Sequence, residues 1–113
     1  IDAIDSVSSK LELVLKSQEA NTPIISSMGT GNKLNAADLE VTDIYKTSVC
    51  PLARVMRYEL KKVGVKKLRV VYSKELPIKP CGNNKSVPAS TSFVPAAAGM
   101  ILASVVVNDL IKD

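Results

Sequence analysis

The sequence predicts an α/β chain, a mixed sheet with flanking helices, and it reads as one half of such a domain rather than a whole one. Three observations carry this. The chain opens on "IDAIDSV", the pattern of a buried strand end turning into a helix. A helical segment then separates that strand end from the short apolar run "PIISSMG", as in a parallel strand–helix–strand unit. Finally, "PLARVMRYELKKVG" is an amphipathic helix followed at once by the strand-like "KKLRVVYSK".

The elements follow in order. Residues Ser8 to Ala20 predict a helix: Leu11, Val14 and Leu15 recur at helical spacing, and Ser9 with Glu12 makes a capping-box pattern. "NTP" stops it, because the residue before Pro23 is pushed out of the helical region. "PIISSMG" suits a buried strand, and a polar Gly/Asn-rich stretch leads to a second strand near Glu40 to Ile44. In the next helix Pro51 fits the first turn. Leu52, Val55, Met56, Leu60 and Val63 form its apolar stripe, and Gly64 stands where a C-terminal cap belongs. Residues 75–90, rich in proline and asparagine, are expected to be a mobile loop. "STSFV" reads as a last strand. Pro95 then opens a helix to about Lys112, apolar on nearly every side and so expected to be buried.

The 113 residues allow one domain at most, with 46% hydrophobic and 23% charged residues. The longest small-and-apolar run, Ala96 to Val107, falls short of the roughly 20 residues that span a bilayer, so no membrane partner is expected. Cys50 and Cys81 have no CxxC spacing and there is no histidine, which excludes a local zinc site and favours a reducing, cytoplasmic setting. The net charge of +4 is unevenly spread. Residues 1–43 carry seven acids and three bases, residues 44–113 twelve bases and four acids. Between Arg54 and Lys74 lie eight bases against one acid, Glu59. Such a cluster is either a footprint for a polyanion or a solvated helix face.

Ligands of open α/β sheets bind at the carboxyl ends of the strands. Asp2 and Asp5 fall at such an end. Asp5 is placed to face the crevice beside a helix N-terminus, where a carboxylate can hold magnesium together with phosphate oxygens. Lys10, one turn on, could reach a phosphate as a point charge. The plainer alternative, and the commoner one, is that Asp5 or Ser6 caps the helix. "MGTGNK" has a GxG after a strand but no GxGxxG. Gly29 and Gly31 therefore shape a turn or admit a substrate to the backbone rather than build a phosphate loop, and a dinucleotide-dependent dehydrogenase is disfavoured. The catalytic residues stay unknown on these grounds. Cys50, before Pro51 at a helix start, is the one nucleophile worth naming, although an idle or structural thiol is the commoner case.

Taken together, "IDAIDSVSSKLEL", "PIISSMGTGNKLNAADLEVTDIYKTSVCPLARVMRYELKK", "LRVVYSKELP" and "STSFVPAAAGMILASVVVNDLI" resemble the C-terminal half of ThiF/MoeB/HesA proteins, the relatives of ubiquitin-activating enzymes. The stretch "DIYKTSVCPLARVMR" is most similar to the tRNA threonylcarbamoyladenosine dehydratase branch. The resemblance implies a Rossmann-like adenylating domain whose N-terminal nucleotide-binding half lies outside residues 1–113. It implies ATP and magnesium as cofactors, with Asp5 at the metal and Asp5, Ser6 and Lys10 around the nucleotide. The implied activity is of the ligase or nucleotidyltransferase type: a threonylcarbamoyl carboxylate is adenylated, then closes to a ring with loss of AMP. The isolated half is expected to be inactive. The partners implied are tRNA, with Arg54, Arg57, Lys61 and Lys62 as candidate contacts, and a second copy in a homodimer. The alternative within the superfamily is adenylation of the Gly-Gly tail of a ubiquitin-like sulfur carrier. Two departures bear on the choice. Some dehydratases have an acid where Cys50 stands, and the zinc-binding CxxC pairs of many MoeB- and ThiF-like proteins are absent.

Overall fold

A computed structural model of the chain describes residues 1–31, 33–76 and 93–112. The elements are α1 (Val7–Glu19), β1 (Ile25–Ser27), β2 (Leu39–Asp43), α2 (Pro51–Lys62), β3 (Arg69–Ser73) and α3 (Phe93–Leu110), with single 3-10 turns at Ala36–Asp38 and Ile44–Lys46. The sheet runs β1-β3-β2. β1 is parallel to β3, with Ile25 opposite Arg69, and β2 is antiparallel to β3, with Leu39 opposite Ser73. Asp2 adds a parallel bridge to Ser26: its amide donates to the Ile25 carbonyl at 2.9 Å and its carbonyl accepts from Ser27 N–H at 2.8 Å. The opening residues are thus a strand end, and the sheet is mixed.

β3 organises the core because successive strand residues point to opposite faces. Val70 and Tyr72 pack with Val14 of α1 and Ala53, Met56 and Leu60 of α2. Val71 points the other way and packs with Ile25 and with Ala98 and Leu102 of α3. The result is three layers, helices on both faces of a short sheet.

The helix ends differ from expectation in instructive ways. Ser6, not Ser9, caps α1: its hydroxyl accepts from the Ser9 amide at 3.4 Å. The apolar stripe of α2 is rotated by one position, with Ala53, Met56 and Leu60 buried while Val55 and Val63 are exposed, because the small Ala53 is what fits against the sheet. At its C-terminus Gly64 has φ 79, Val65 N–H reaches the Leu60 carbonyl at 3.0 Å and Gly64 N–H the Lys61 carbonyl at 3.2 Å. This is a Schellman cap, with Val65 and Leu60 in contact with the same core. Gly29, by contrast, has ordinary backbone, and a methyl group there would meet only Leu52 Cβ at 3.7 Å and Cys50 Sγ at 3.9 Å.

α3 is the largest departure. Phe93 and Val94 belong to it, so the helix begins before Pro95 and the described part of "STSFV" is not strand. The expected loop at 75–90 and the start of that segment lie outside the described residues, apart from Glu75 and Leu76 just after β3. The helix has 18 residues with mean hydropathy 1.7, long and apolar enough to cross a membrane by length and composition, which the shorter Ala96–Val107 run does not suggest. Nor is it buried on all sides. Val94, Ala98 and Leu102 face the sheet, while Met100, Val107 and Leu110 are exposed.

Candidate functional site

A cavity of about 730 Å³ opens at the carboxyl ends of the parallel strands. Asp5 comes to it from the Asp2 strand end, Ser27 and Gly29 from the end of β1, Cys50 and Pro51 from the start of α2, and Gly99 from α3. This is where an open α/β sheet places its ligand.

Asp5 is exposed and lines the cavity. Since Ser6 does the capping, the Asp5 carboxylate has no cap to serve, and among the described residues no hydrogen bond or ion pair engages it. A single free carboxylate at a crevice mouth fits a magnesium ion that completes its shell with phosphate oxygens and water. No group of three metal-ligating side chains exists among the described residues.

Lys10 is placed differently from the expectation. It is buried, and its ammonium donates to Asp2 Oδ2 at 3.2 Å and to the Ser27 carbonyl at 2.6 Å, which takes it away from the cavity mouth. Asp2 is buried with it. Its Oδ2 also accepts from Ser26 Oγ at 2.8 Å, and its Oδ1 from the Ile4 amide at 3.1 Å. The first acid therefore builds the site and the second faces it. A buried lysine needs a buried acid, and Asp2 and Lys10 flank the strand-to-helix turn that carries Asp5.

Sequence reasoning missed Lys33. It is buried against the cavity, donates to the backbone carbonyl of Glu75, and burial pulls its pKa down, against the opposing pull of Cys50, Glu75 and Asp38. The Glu75 carboxylate in turn accepts from the amides of Leu34 at 2.9 Å and Asn35 at 2.9 Å. The end of β3 thereby pins the loop that leaves β1. Nothing in a lone lysine inside "GTGNKLN" announces a partner more than forty positions on. Cys50 is a free thiol packed in the core cluster, without a side-chain bond at its cap position.

The basic cluster divides as well. Arg54, Lys61 and Lys62 are exposed on α2. Arg57 is half-buried, and its guanidinium donates to the Thr47 carbonyl at 3.2 Å and to the Thr47 hydroxyl, so it ties α2 to the preceding turn rather than standing free. Arg69 is paired with Asp109 of α3. Lys61 lies 5.7 Å from the Tyr45 ring and Lys62 4.4 Å from that of Tyr58.

A short mixed sheet flanked by helices on both faces, with a cavity at its strand ends, is an open α/β arrangement of the Rossmann-like class. No family model matches the chain. A tRNA threonylcarbamoyladenosine dehydratase of Bacillus subtilis is 39% identical over 128 residues, covering 100% of this chain and 50% of the relative. The dehydratase of Escherichia coli is 38% identical over 61 residues, 54% of this chain and 23% of the relative. Its crystal structure in complex with AMP superimposes with a TM-score of 0.86 at 26% identity, over 97% of this chain and 47% of the other. The structure of the same enzyme with ATP gives 0.82 at 25% identity, over 96% and 45%. Over its whole length the chain is similar to tRNA threonylcarbamoyladenosine dehydratases, which are ThiF/MoeB-like proteins. It spans 50% of the length of the Bacillus subtilis relative and 47% of the Escherichia coli chain.

Proposed function

We propose that residues 1–113 are the C-terminal part of one ThiF-type adenylating domain in an ATP-dependent, tRNA-modifying dehydratase. In this reading a threonylcarbamoyl carboxylate oxygen attacks the α-phosphorus of ATP and pyrophosphate leaves. A nitrogen or oxygen of the carbamoyl group then attacks the activated acyl carbon and gives up its proton to solvent, and the ring closes as the C–O bond to AMP breaks. The logic is that of a leaving group: carboxylate oxygen leaves poorly and AMP leaves well. Magnesium, held by Asp5, would neutralise phosphate charge. Asp5 and Ser6 edge the nucleotide, while Lys10 acts through Asp2 by holding the strand end on which Asp5 stands. The activity is of ligase or nucleotidyltransferase type.

The observation that carries the reading is the Asp5 carboxylate, exposed, unpaired among the described residues and lining the cavity at the strand ends. The relatives named above are dehydratases, and this supports tRNA over a sulfur carrier as the acceptor. Arg54, Lys61 and Lys62 are offered as phosphate contacts, with Arg57 holding the turn beside them. A homodimer, with the exposed apolar side of α3 as one surface for it, and a cytoplasmic location complete the proposal.

The test is direct. Full-length enzyme with ATP should convert threonylcarbamoyladenosine in tRNA to its cyclic form, and Asp5→Ala should lower turnover at least about a hundredfold, as for loss of a group stabilising transferred charge. Turnover at the parent rate in that variant would refute the role given to Asp5.

A further inference from the structure

The turn before α2 holds a conformation that side chains avoid. Val49 has φ 50, in the left-handed region, where a β-branched residue is an outlier. Strain of this kind persists where its surroundings over-determine it, and it clusters at functional sites. Those surroundings are visible. Thr47 Oγ1 donates to the Ile44 carbonyl at 2.6 Å, Arg57 clamps Thr47 from α2, and Pro51 fixes the far side.

What the turn shapes is a second concavity of about 600 Å³, lined by Val49, Arg54, Val55, Arg57 and Tyr58. Cys50 and Pro51 line it too, and they also line the Asp5 cavity, so one ridge separates the two. Tyr58 is 62% exposed on this second side, an unusual place for a tyrosine ring with no hydrogen bond among the described residues. The Lys62 ammonium stands over the ring, 4.4 Å from its centroid, and pairs with Glu59 at 3.7 Å, while Arg54 stands one turn before Tyr58 on the same helix face.

We infer that this second concavity is a stacking site for an unpaired nucleotide of RNA, the neighbour of the nucleoside whose carboxylate enters the Asp5 cavity. The inference rests on the function proposed above and adds the binding mode. Proteins read single-stranded RNA by stacking splayed bases on aromatic rings while basic side chains meet the phosphates. Tyr58 supplies the ring and Arg54 the charge, and the shared ridge puts the two subsites side by side. Around it Arg54, Lys61, Lys66 and Lys67 are exposed, and this run of bases favours a polyanion over a protein tail.

The experiment uses full-length enzyme and a tRNA that carries threonylcarbamoyladenosine with a neighbouring 2-aminopurine. Binding should quench the 2-aminopurine in the wild type and in Tyr58→Phe. In Tyr58→Ala the quenching should be lost and RNA binding should weaken about tenfold or more. The affinity for ATP and the melting temperature should be the same in all three. Adding Arg54→Ala should flatten the dependence of RNA affinity on salt. Unweakened RNA binding by Tyr58→Ala, or an unquenched wild-type complex, in an enzyme that still converts tRNA would overturn the stacking site and leave the proposed function standing. Loss of binding to an acidic carrier protein, with RNA binding intact, would overturn it in favour of a protein partner. Absence of any tRNA conversion by the wild type would overturn the proposed function and this inference with it.

Discussion

The two faces of the sheet are built to different standards of closure. On the α1/α2 face, eleven buried residues form one cluster that joins both helices, β3 and the turns beside them. On the α3 face, the buried cluster has four members, and the helix that covers it leaves Met100 77% exposed and Leu110 78% exposed. Both faces are apolar in sequence; among the described residues only the first is covered all round. The first face is a core, and the second is a core on one side of α3 and a presented surface on the other. The cavity bearing Asp5 lies along the same edge, lined by Pro95, Ala98 and Gly99 of α3.

The comparison is most exposed to breakage at the Asp2–Lys10 pair. Both groups are buried, and each satisfies the other together with Ser26 and the Ser27 carbonyl. Lys10→Met removes one charge and strands the other, so the expected loss is about 3–5 kcal/mol of unfolding free energy. The double variant Lys10→Met with Asp2→Asn should recover part of it, since no uncompensated charge is left. Denaturant unfolding of the three proteins measures this. A single variant as stable as the parent would mean that the closed face is not closed at its edge.

Next in size is a matched pair of methionines. Met56 is fully buried under α2 and Met100 points outward from α3. Met56→Ala should cost about 2–5 kcal/mol through lost burial and the cavity left behind, while Met100→Ala should stay within about 0.5 kcal/mol. Equal losses would show that α3 is covered in solution, and dependence of the Met100→Ala effect on protein concentration would identify a second copy as the cover.

Much of this architecture is legible in the sequence, and the limits are physical. The α2 helix, its Gly64 cap and the parallel strand–helix–strand unit are local patterns, so "PLARVMRYELKKVG" and "IDAIDSV … PIISS" announce them, whereas Ala53 in the buried stripe of α2 in place of Val55 and Val63 depends on the sheet it meets. Asp5 at the crevice follows from its place after a strand end. The Asp2–Ser26 and Lys33–Glu75 contacts do not, because they join residues 24 and 42 positions apart. Lys10 looks like a free cation for the same reason: its acid is across a turn, and a sequence does not display burial. α3 fails differently. Apolar composition says that a helix can be buried, whereas which of its sides is covered depends on what packs there. Arg57 likewise looks like its exposed neighbours until its bond to Thr47 is seen.

The smallest effect belongs to the open face, where Arg69 of β3 pairs with Asp109 near the end of α3. The Arg69 guanidinium, by its hydrogen bond and its charge, holds the Asp109 carboxyl below its usual range, with Lys112 adding a lesser pull. A carboxyl with a lowered native pKa binds fewer protons folded than unfolded as acid is added. Its contribution is therefore complete above about pH 4, the ordinary carboxylate value, and is lost as pH falls through the lowered native one. Because both groups meet solvent, salt should weaken the pair too. Melting curves of the parent and Asp109→Asn should differ slightly at neutral pH and converge in acid or at high salt. A gap that instead persists in acid would mean that the amide side chain disturbs the packing of α3 itself, and the open face would then owe its cohesion to shape rather than to charge.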